Sequence, residues 1–327
     1  MTDSTHGGNT IPTATDISAA HDRIRGMVHR TPVLSSALVN RELGCEVFFK
    51  CENFQKGGAF KFRGASNAML SLDKELLKRG VATHSSGNHA QALAKAAQML
   101  GVPAYIVMPS SSPDVKVAGV KTYGGQITFC EPTLAAREST LEKVVCETGA
   151  VFIHPYNRYD IIAGQATAAK ELLEEIAAPD FMLAPVGGGG LMSGTALSTH
   201  YFSPTTRIFG TEPLNANDAW KSMKAGRLIP SENPKTLCDG LLTSLSEKTF
   251  EILSKHLEDI LTPSEESIIS AMQLVWERMK IIIEPSSAVP VAAILENRNL
   301  FAGQLVGVII SGGNVDLQRL PFAELYI

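Results

Sequence analysis

Val81-Ala82-Thr83-His84-Ser85-Ser86-Gly87-Asn88-His89-Ala90-Gln91 decides how this chain is organised. Residues 81–84 are a short run with β-branched Val81 and Thr83, and they predict a strand. Ser85-Ser86-Gly87 breaks that run, and residues 89–99 then place apolar side chains at helical spacing. Residues 104–108 return to the strand pattern. Strand, helix and strand in this order make a βαβ unit, whose strands lie parallel because the helix carries the chain back across the sheet.

The same alternation continues outward. Further strands are predicted over 46–51, 126–130, 150–154, 181–186, 207–211 and 305–310. Helices are predicted over 17–28, with Asp16 as its cap, and over 60–72, 114–123, 134–148, 164–176 and 192–200. Such alternation implies an α/β fold with a doubly wound parallel sheet, in which ligands sit outside the carboxyl ends of the strands. Three glycine-marked turns fall there: Ser85-Ser86-Gly87-Asn88-His89, Val186-Gly187-Gly188-Gly189-Gly190 and Ser311-Gly312-Gly313-Asn314. No internal repeat or low-complexity linker interrupts the pattern.

Composition narrows the function. The 327 residues are 44% hydrophobic, enough for two lobes around a substantial core. A formal net charge of −4 argues against nucleic acid as the main partner. No stretch approaches the ~18 uninterrupted apolar residues of a membrane span, and the first residues lack the basic and apolar regions of a secretion signal. Cys45, Cys51, Cys130, Cys146 and Cys238 are odd in number and never in a Cys-x-x-Cys pair, which fits reduced thiols in a cytoplasmic protein. The histidines form no cluster of transition-metal spacing.

Four consecutive glycines, Gly187 to Gly190, leave backbone N–H groups free to face an anion, and the following helix adds its positive end. A phosphate suits that turn. No Lys-Ser/Thr follows it, and Gly-x-Gly-x-x-Gly fails because Ser193 holds the sixth position, so neither nucleotide signature is met. A dinucleotide enzyme, an NAD-dependent dehydrogenase, would still explain the tetraglycine and place Glu212 against a ribose hydroxyl. That reading leaves Lys61, Asn88 and Ser311 without a task. The helix opening at Ser86-Gly87-Asn88-His89 suits a carboxylate, although Ser86 could equally serve as a helix cap. Lys61, set between Phe60 and Phe62, is a candidate for a poorly hydrated amine of lowered pKa, the form that makes Schiff bases.

Phe60-Lys61-Phe62-Arg63-Gly64-Ala65, Ser85 to Gln91, Gly187 to Gly190 and Ser311-Gly312-Gly313-Asn314 stand in the order and spacing of the fold-type II pyridoxal phosphate enzymes. The chain resembles the serine racemase and serine/threonine dehydratase group in particular, with similarity to 3-hydroxyaspartate dehydratases in His154-Pro155-Tyr156-Asn157 and Glu284-Pro285-Ser286. The resemblance implies a tryptophan synthase β-like architecture. A large cofactor-binding domain is expected over 15–79 and 157–327 and a smaller α/β domain over 80–156, after a disordered tail at 1–14. It implies a homodimer without a C-terminal regulatory domain.

Carried over residue by residue, Lys61 holds pyridoxal 5'-phosphate as a Schiff base and acts as the base at the substrate Cα. Phe60 packs near the cofactor, Asn88 binds its phenolic oxygen, Gly187, Gly188, Gly189 and Gly190 its phosphate, and Ser311 its pyridine nitrogen. Ser86, Gly87, Asn88 and His89 receive the substrate carboxylate, while Arg137 and Tyr156 are further substrate contacts. A guanidinium is the side chain best suited to clamp a second carboxylate. Ser86 corresponds to the second acid/base of serine racemases, and Tyr156 departs from the asparagine expected in the mammalian-type racemase. Glu212, the Ala216 carbonyl and Asp218 correspond to the Mg²⁺ site (Ca²⁺ or Mn²⁺ being alternatives), an all-oxygen set that suits a hard cation. The expectation is a dehydratase, an ammonia-lyase acting on 3-hydroxyaspartate or serine. The alternative is a serine- or aspartate-type racemase working through Lys61 and Ser86.

Overall fold

The computed structural model describes residues 10–322. The chain opens with α1 (Ala14–Ile24), β1 (Val33–Leu34), α2 (Ala37–Leu43), β2 (Glu46–Cys51), α3 (Lys61–Leu70) and the short α4 (Lys74–Lys78). Next come β3 (Val81–His84), α5 (Asn88–Leu100), β4 (Ala104–Pro109), α6 (Asp114–Thr122), β5 (Gln126–Cys130), α7 (Leu134–Thr148) and β6 (Val151–Phe152). Then follow α8 (Tyr159–Glu175), β7 (Phe181–Pro185), α9 (Gly190–Phe202), β8 (Arg207–Thr211), α10 (Asp218–Ala225), α11 (Glu247–His256) and β9 (Asp259–Leu261). The last elements are α12 (Glu265–Met279), α13 (Pro285–Glu296), α14 (Arg298–Phe301) and β10 (Leu305–Ile310).

Two sheets result. The larger has the order β1-β2-β10-β7-β8-β9, and only the β1–β2 pair is antiparallel. The smaller has the order β5-β4-β3-β6 and is parallel throughout. Helices cover both faces of the large sheet, so its strands are buried on both sides: every residue of β7 is buried, and all but the first of β10. Strand order reverses between β10 and β7, and at their carboxyl ends lie Ser311 and the turn to Gly187. That switch point is where an open α/β sheet leaves a crevice for ligand.

Several boundaries differ from expectation for local reasons. Thr13, not Asp16, caps α1; Asp16 is the third helical residue and returns the bond to the Thr13 N–H at 2.8 Å in a capping box. Ala14 is therefore helical, while the rest of the expected tail lies largely outside the described residues. β6 stops at Phe152 because His154 Nδ1 accepts the backbone N–H groups of Tyr156 and Asn157, at 3.3 and 2.9 Å, and turns the chain. α8 begins five residues before Gly164. That glycine marks a crossing, not a start: a Cβ on Gly164 would lie 2.7 Å from the Gly64 Cα of α3. Phe62, Ala65 and Met69 of α3 pack into one core with β3, β4 and α5, so the expected division at residue 80 runs through a shared apolar cluster.

Below the cleft, α3 is anchored by charge. Arg63 is fully buried and donates to Glu52 and Glu171 at 2.7–2.9 Å and to the Thr167 hydroxyl at 3.1 Å. Buried Lys50 reaches Glu171 at 2.8 Å and the Thr31 carbonyl at 2.7 Å. Burial alone would raise the Glu171 pKa, but the bonds and charge of Arg63, with Lys50, bring it down to about 2. Two cations and two carboxylates thus neutralise one another, two residues from Lys61. Cys45, Cys51 and Cys238 are buried, and all five cysteines are free.

Candidate active site

The crevice between the two sheets is a cleft of about 2240 Å³. Lys61, first residue of α3, lies on its floor. Its ammonium sits 4.9 Å from the centre of the Phe60 ring and donates to the Pro155 carbonyl at 3.3 Å. Burial lowers the Lys61 pKa to about 8, against the opposing charge of Glu284. The expected sandwich between two rings does not form: α-helical spacing turns Phe62 away into the core of the smaller lobe. Desolvation, not paired aromatics, is what depresses the amine.

All four glycines beyond β7 are required by their surroundings. Gly189 takes φ +85°, and a Cβ there would meet Thr249 Cβ at 2.7 Å. A Cβ at Gly188 would lie 2.3 Å from Cε1 of Tyr156, and one at Gly187 would lie 3.0 Å from the Gly240 carbonyl oxygen. At Gly190 it would meet Tyr156 Cβ at 2.9 Å. No side chain caps the α9 start, so its first N–H groups face the cleft as an anion cradle. The α5 start is likewise uncapped by any side chain: Gly87 is the N-cap, which removes the capping role considered for Ser86. Ser85, Ser86, Gly87 and Asn88 line the cleft. The His89 ring turns inward to the Ile153 carbonyl at 3.2 Å, leaving its backbone N–H in the first turn as the group it can offer a ligand.

Ser311, at the end of β10, is buried and lies 2.9 Å from the Ser287 hydroxyl. Ser287 also accepts from the Gly312 N–H at 2.7 Å and reaches the Gly312 carbonyl at 2.7 Å. With its proton on the Gly312 carbonyl, Ser287 accepts from Ser311, whose hydroxyl can turn instead to a ring nitrogen. Asn88 donates through Nδ2 to both oxygens of Glu284, at 3.0 and 3.1 Å, and accepts from Asn314 Nδ2 at 3.0 Å. Glu284 is buried, and burial, reinforced by the charge of Asp239, pushes its pKa up to about 7. Sequence reasoning quoted Glu284 and gave neither it nor Ser287 a task. The signal was there: one carboxylate in the apolar run Ile281-Ile282-Ile283-Glu284-Pro285 must find buried partners.

Arg137 of α7 reaches the cleft wall, and its Nε is buried without a hydrogen-bond partner. A solvated helix arginine would have its Nε in water, whereas that of Arg137 is sealed from it. Tyr156 packs edge-on against His154 with centroids 4.6 Å apart, and burial raises its pKa, so the phenol stays protonated.

Glu212 is buried at the end of β8, and its two oxygens accept the N–H groups of Ala219 and Trp220 at 3.0 Å each. Each Glu212 oxygen thus serves the start of α10 and keeps a further lone pair for another partner. Asp218 lies beside it, with both carboxylate oxygens buried and unpartnered. Burial pushes Glu212 to about 8 and Asp218 to about 6, the nearby Ser231 hydroxyl drawing Asp218 the other way. Two desolvated carboxylates and the nearby Ala216 carbonyl are a donor set that fits a hard divalent cation. The desolvated amine of lowered pKa, the anion cradle and the buried Ser311 hydroxyl likewise fit pyridoxal phosphate.

Comparison with known proteins agrees with this geometry. The family model described as "Pyridoxal-phosphate dependent enzyme" matches residues 24–312. A beta-hydroxyaspartate dehydratase of Paracoccus denitrificans is 50% identical over 312 residues, covering 95% of this chain and 99% of that protein. The L-threo-3-hydroxyaspartate ammonia-lyase of Saccharomyces cerevisiae is 44% identical over 94% of this chain and 95% of its own length. Among solved structures, maize serine racemase superposes with a TM-score of 0.93 at 42% identity, covering 97% of this chain and 98% of that one.

Proposed function

This chain belongs to the family of pyridoxal-phosphate dependent enzymes, and we propose that within it the chain is an ammonia-lyase that eliminates water from 3-hydroxyaspartate, giving a four-carbon keto acid and ammonia. The observation that carries the substrate is Arg137, whose buried Nε has no partner in the cleft wall. A buried N–H left unpaired there is costly unless a ligand completes it, and a second carboxylate is the best complement of a guanidinium. The dehydratase and ammonia-lyase relatives support the same choice.

Bound pyridoxal phosphate supplies the electron sink that makes the Cα–H bond acidic. The chain's residues do the rest. Gly187 to Gly190 and the α9 start hold the phosphate, Asn88 the phenolic oxygen and Ser311 the pyridine nitrogen, with Phe60 packed alongside. The α5 start, from Ser86 to His89, takes the α-carboxylate, with Arg137 and Tyr156 at the far end of the substrate. Lys61, with a pKa near 8, is neutral often enough at physiological pH to accept the Cα proton. The hydroxyl then leaves Cβ as the Cα–Cβ double bond forms, and the released enamine hydrolyses. A hydroxyl in place of a carboxylate at the ring nitrogen leaves that ring a weaker sink, which favours prompt loss of the β-substituent.

Ser86 supports a second activity. It lines the cleft at the α5 start and caps nothing, so it is free to return a proton to Cα and give the D-isomer. Glu212, the Ala216 carbonyl and Asp218 would hold Mg²⁺, or Ca²⁺ or Mn²⁺. We place the smaller domain at 80–156 and the larger at 15–79 and 157–327, and read the protein as a cytoplasmic homodimer.

The test is a substrate panel on the purified holoenzyme: the 3-hydroxyaspartate isomers, L-serine and L-threonine, with keto acid and D-amino acid both measured. 3-Hydroxyaspartate should be the best substrate, and Arg137→Ala should reduce its turnover at least tenfold more than that of serine. Threonine as the best substrate, or equal losses in Arg137→Ala, would remove the reading.

A further inference from the structure

Arg137 is not the only unpaired group on its wall. Three histidines gather there: His84 at the end of β3, His89 in α5 and His154 after β6. Two have their protons fixed by the backbone. His154 Nδ1 accepts two backbone N–H groups, so its proton sits on Nε2; His89 Nε2 donates to the Ile153 carbonyl. The His84 ring makes no hydrogen bond among the described residues, and its Nδ1 is buried without a partner. Its ring is held by stacking on Phe152, with centroids 5.8 Å apart at 28°, and by an edge contact to His154 at 6.3 Å. An oriented imidazole with no bond and an arginine with an orphaned Nε thus line one stretch of cleft.

We infer that His84 is a substrate-recognition residue, which binds the distal carboxylate of the dicarboxylic substrate together with Arg137 and takes up a proton as that carboxylate arrives. The inference rests on the dicarboxylate reading above and adds a second reader and a pH dependence to it.

The charges around His84 give the direction. In the free cleft, burial and then the Arg137 charge hold the imidazole neutral, with Glu138 on the same helix pulling weakly the other way. His89 and His154 face it as neutral rings, both pushed down to about 3 by burial. A carboxylate arriving between His84 and Arg137 cancels the repulsion and becomes the partner of the charged ring, so the His84 pKa rises on binding. A group whose pKa rises in the complex strengthens binding as pH falls through the bound-state value. Ligands with a single carboxylate do not reach His84 and gain nothing from acid.

Succinate is the probe, because it carries both carboxylates and lacks the amino group that would react. Calorimetry on the holoenzyme should show succinate binding about fivefold tighter or more at pH 6.5 than at pH 8.5. At pH 7 titrations in two buffers of different ionisation enthalpy should show net proton uptake. Propionate should show neither effect. His84→Gln keeps a hydrogen-bonding group but cannot take up the proton, so its succinate affinity should be flat with pH and at least fivefold weaker at pH 6.5. If Arg137→Ala weakens succinate while His84→Gln matches the wild type at every pH, the His84 role falls and the dicarboxylate site stands. If Arg137→Ala binds succinate as the wild type does, the dicarboxylate reading itself falls, and this inference with it. Should His84→Gln fail to fold, shown by loss of cofactor absorbance, wild-type calorimetry decides alone: absent proton uptake overturns the proposal.

Discussion

On the cleft floor, Lys61 and Glu284 are two buried ionisable groups whose titrations overlap. Burial brings the lysine down to about 8 and lifts the glutamic acid to about 7, and the Glu284 charge works against the first shift. Only the neutral amine can attack the cofactor's aldehyde. The rate at which apo-protein takes up pyridoxal phosphate should therefore rise with pH through a midpoint near 8. Glu284→Gln removes the charge that favours the ammonium, so the midpoint should fall by about one unit. Rapid-mixing absorbance at fixed cofactor concentration measures both, and an unmoved or raised midpoint would sink the electrostatic link. The sequence exposed Lys61 through its neighbours in the motif, but for a wrong local reason. Phe62, the next residue on an α-helix, points about 100° away from Lys61 and does not flank its amine, and the partner that matters, Glu284, lies 223 positions away, beyond the reach of local pattern.

The segment from β8 into α10 shows what one element does with charge it cannot solvate. Glu212 spends both oxygens on the first N–H groups of α10, while Asp218 on that same helix has none to accept. Both carboxyl pKa values are raised, to about 8 and about 6, so without a cation folding favours their protonated forms. The sign follows. That contribution to stability is complete below the unfolded values and is lost as pH rises through 6 and then 8. In EDTA the melting temperature should fall between pH 6 and pH 8.5. Mg²⁺ should remove the fall and add roughly 5 °C at a hundredfold excess over its Kd. A pH-flat melting temperature in EDTA, or no response to Mg²⁺, would show that the carboxylates are satisfied without a cation. Elements of this kind were legible where glycine marked a turn at a strand end, as at Gly87, Gly187 and Gly312. They were less legible where a side chain set the boundary from a distance, as His154 does when it ends β6, or where a glycine serves a helix crossing, as Gly164 does.

Across the whole molecule, the strand–helix alternation foretold a parallel α/β sheet and the family resemblance a second, smaller domain, while β-branched runs between glycine turns placed most strands to within a residue or two. Short edge pieces escaped it: β1 and β9 have too few residues for any period to register. The packing of α3 into the smaller lobe's core also escaped, because which cluster a buried helix joins is decided in three dimensions. That packing bears on how the lobes move. Two sets of contacts bridge the cleft: Asn88 with Glu284 and Asn314, and an ion pair from Lys116 of α6 to Asp239 in the segment between α10 and α11. The first is half-buried and uses the Asn88 amide, which we propose binds the cofactor. The second is open to solvent, with side-chain exposures of 28% and 50%, and such pairs contribute about 0–1 kcal/mol. An interaction that weak suits a latch, since it favours closure over substrate without preventing release. Lys116→Met should leave the melting temperature and kcat near wild type and raise KM about two- to fivefold, the range that a surface pair supports. Because salt screens exposed charge, the wild-type KM should also climb towards that of the variant between low and about 0.5 M ionic strength, while the variant stays flat. Steady-state kinetics across a salt series separates this from a general electrostatic pull on an anionic substrate, which would make both proteins respond alike. Parallel salt curves for the two proteins would mean that the pair closes nothing.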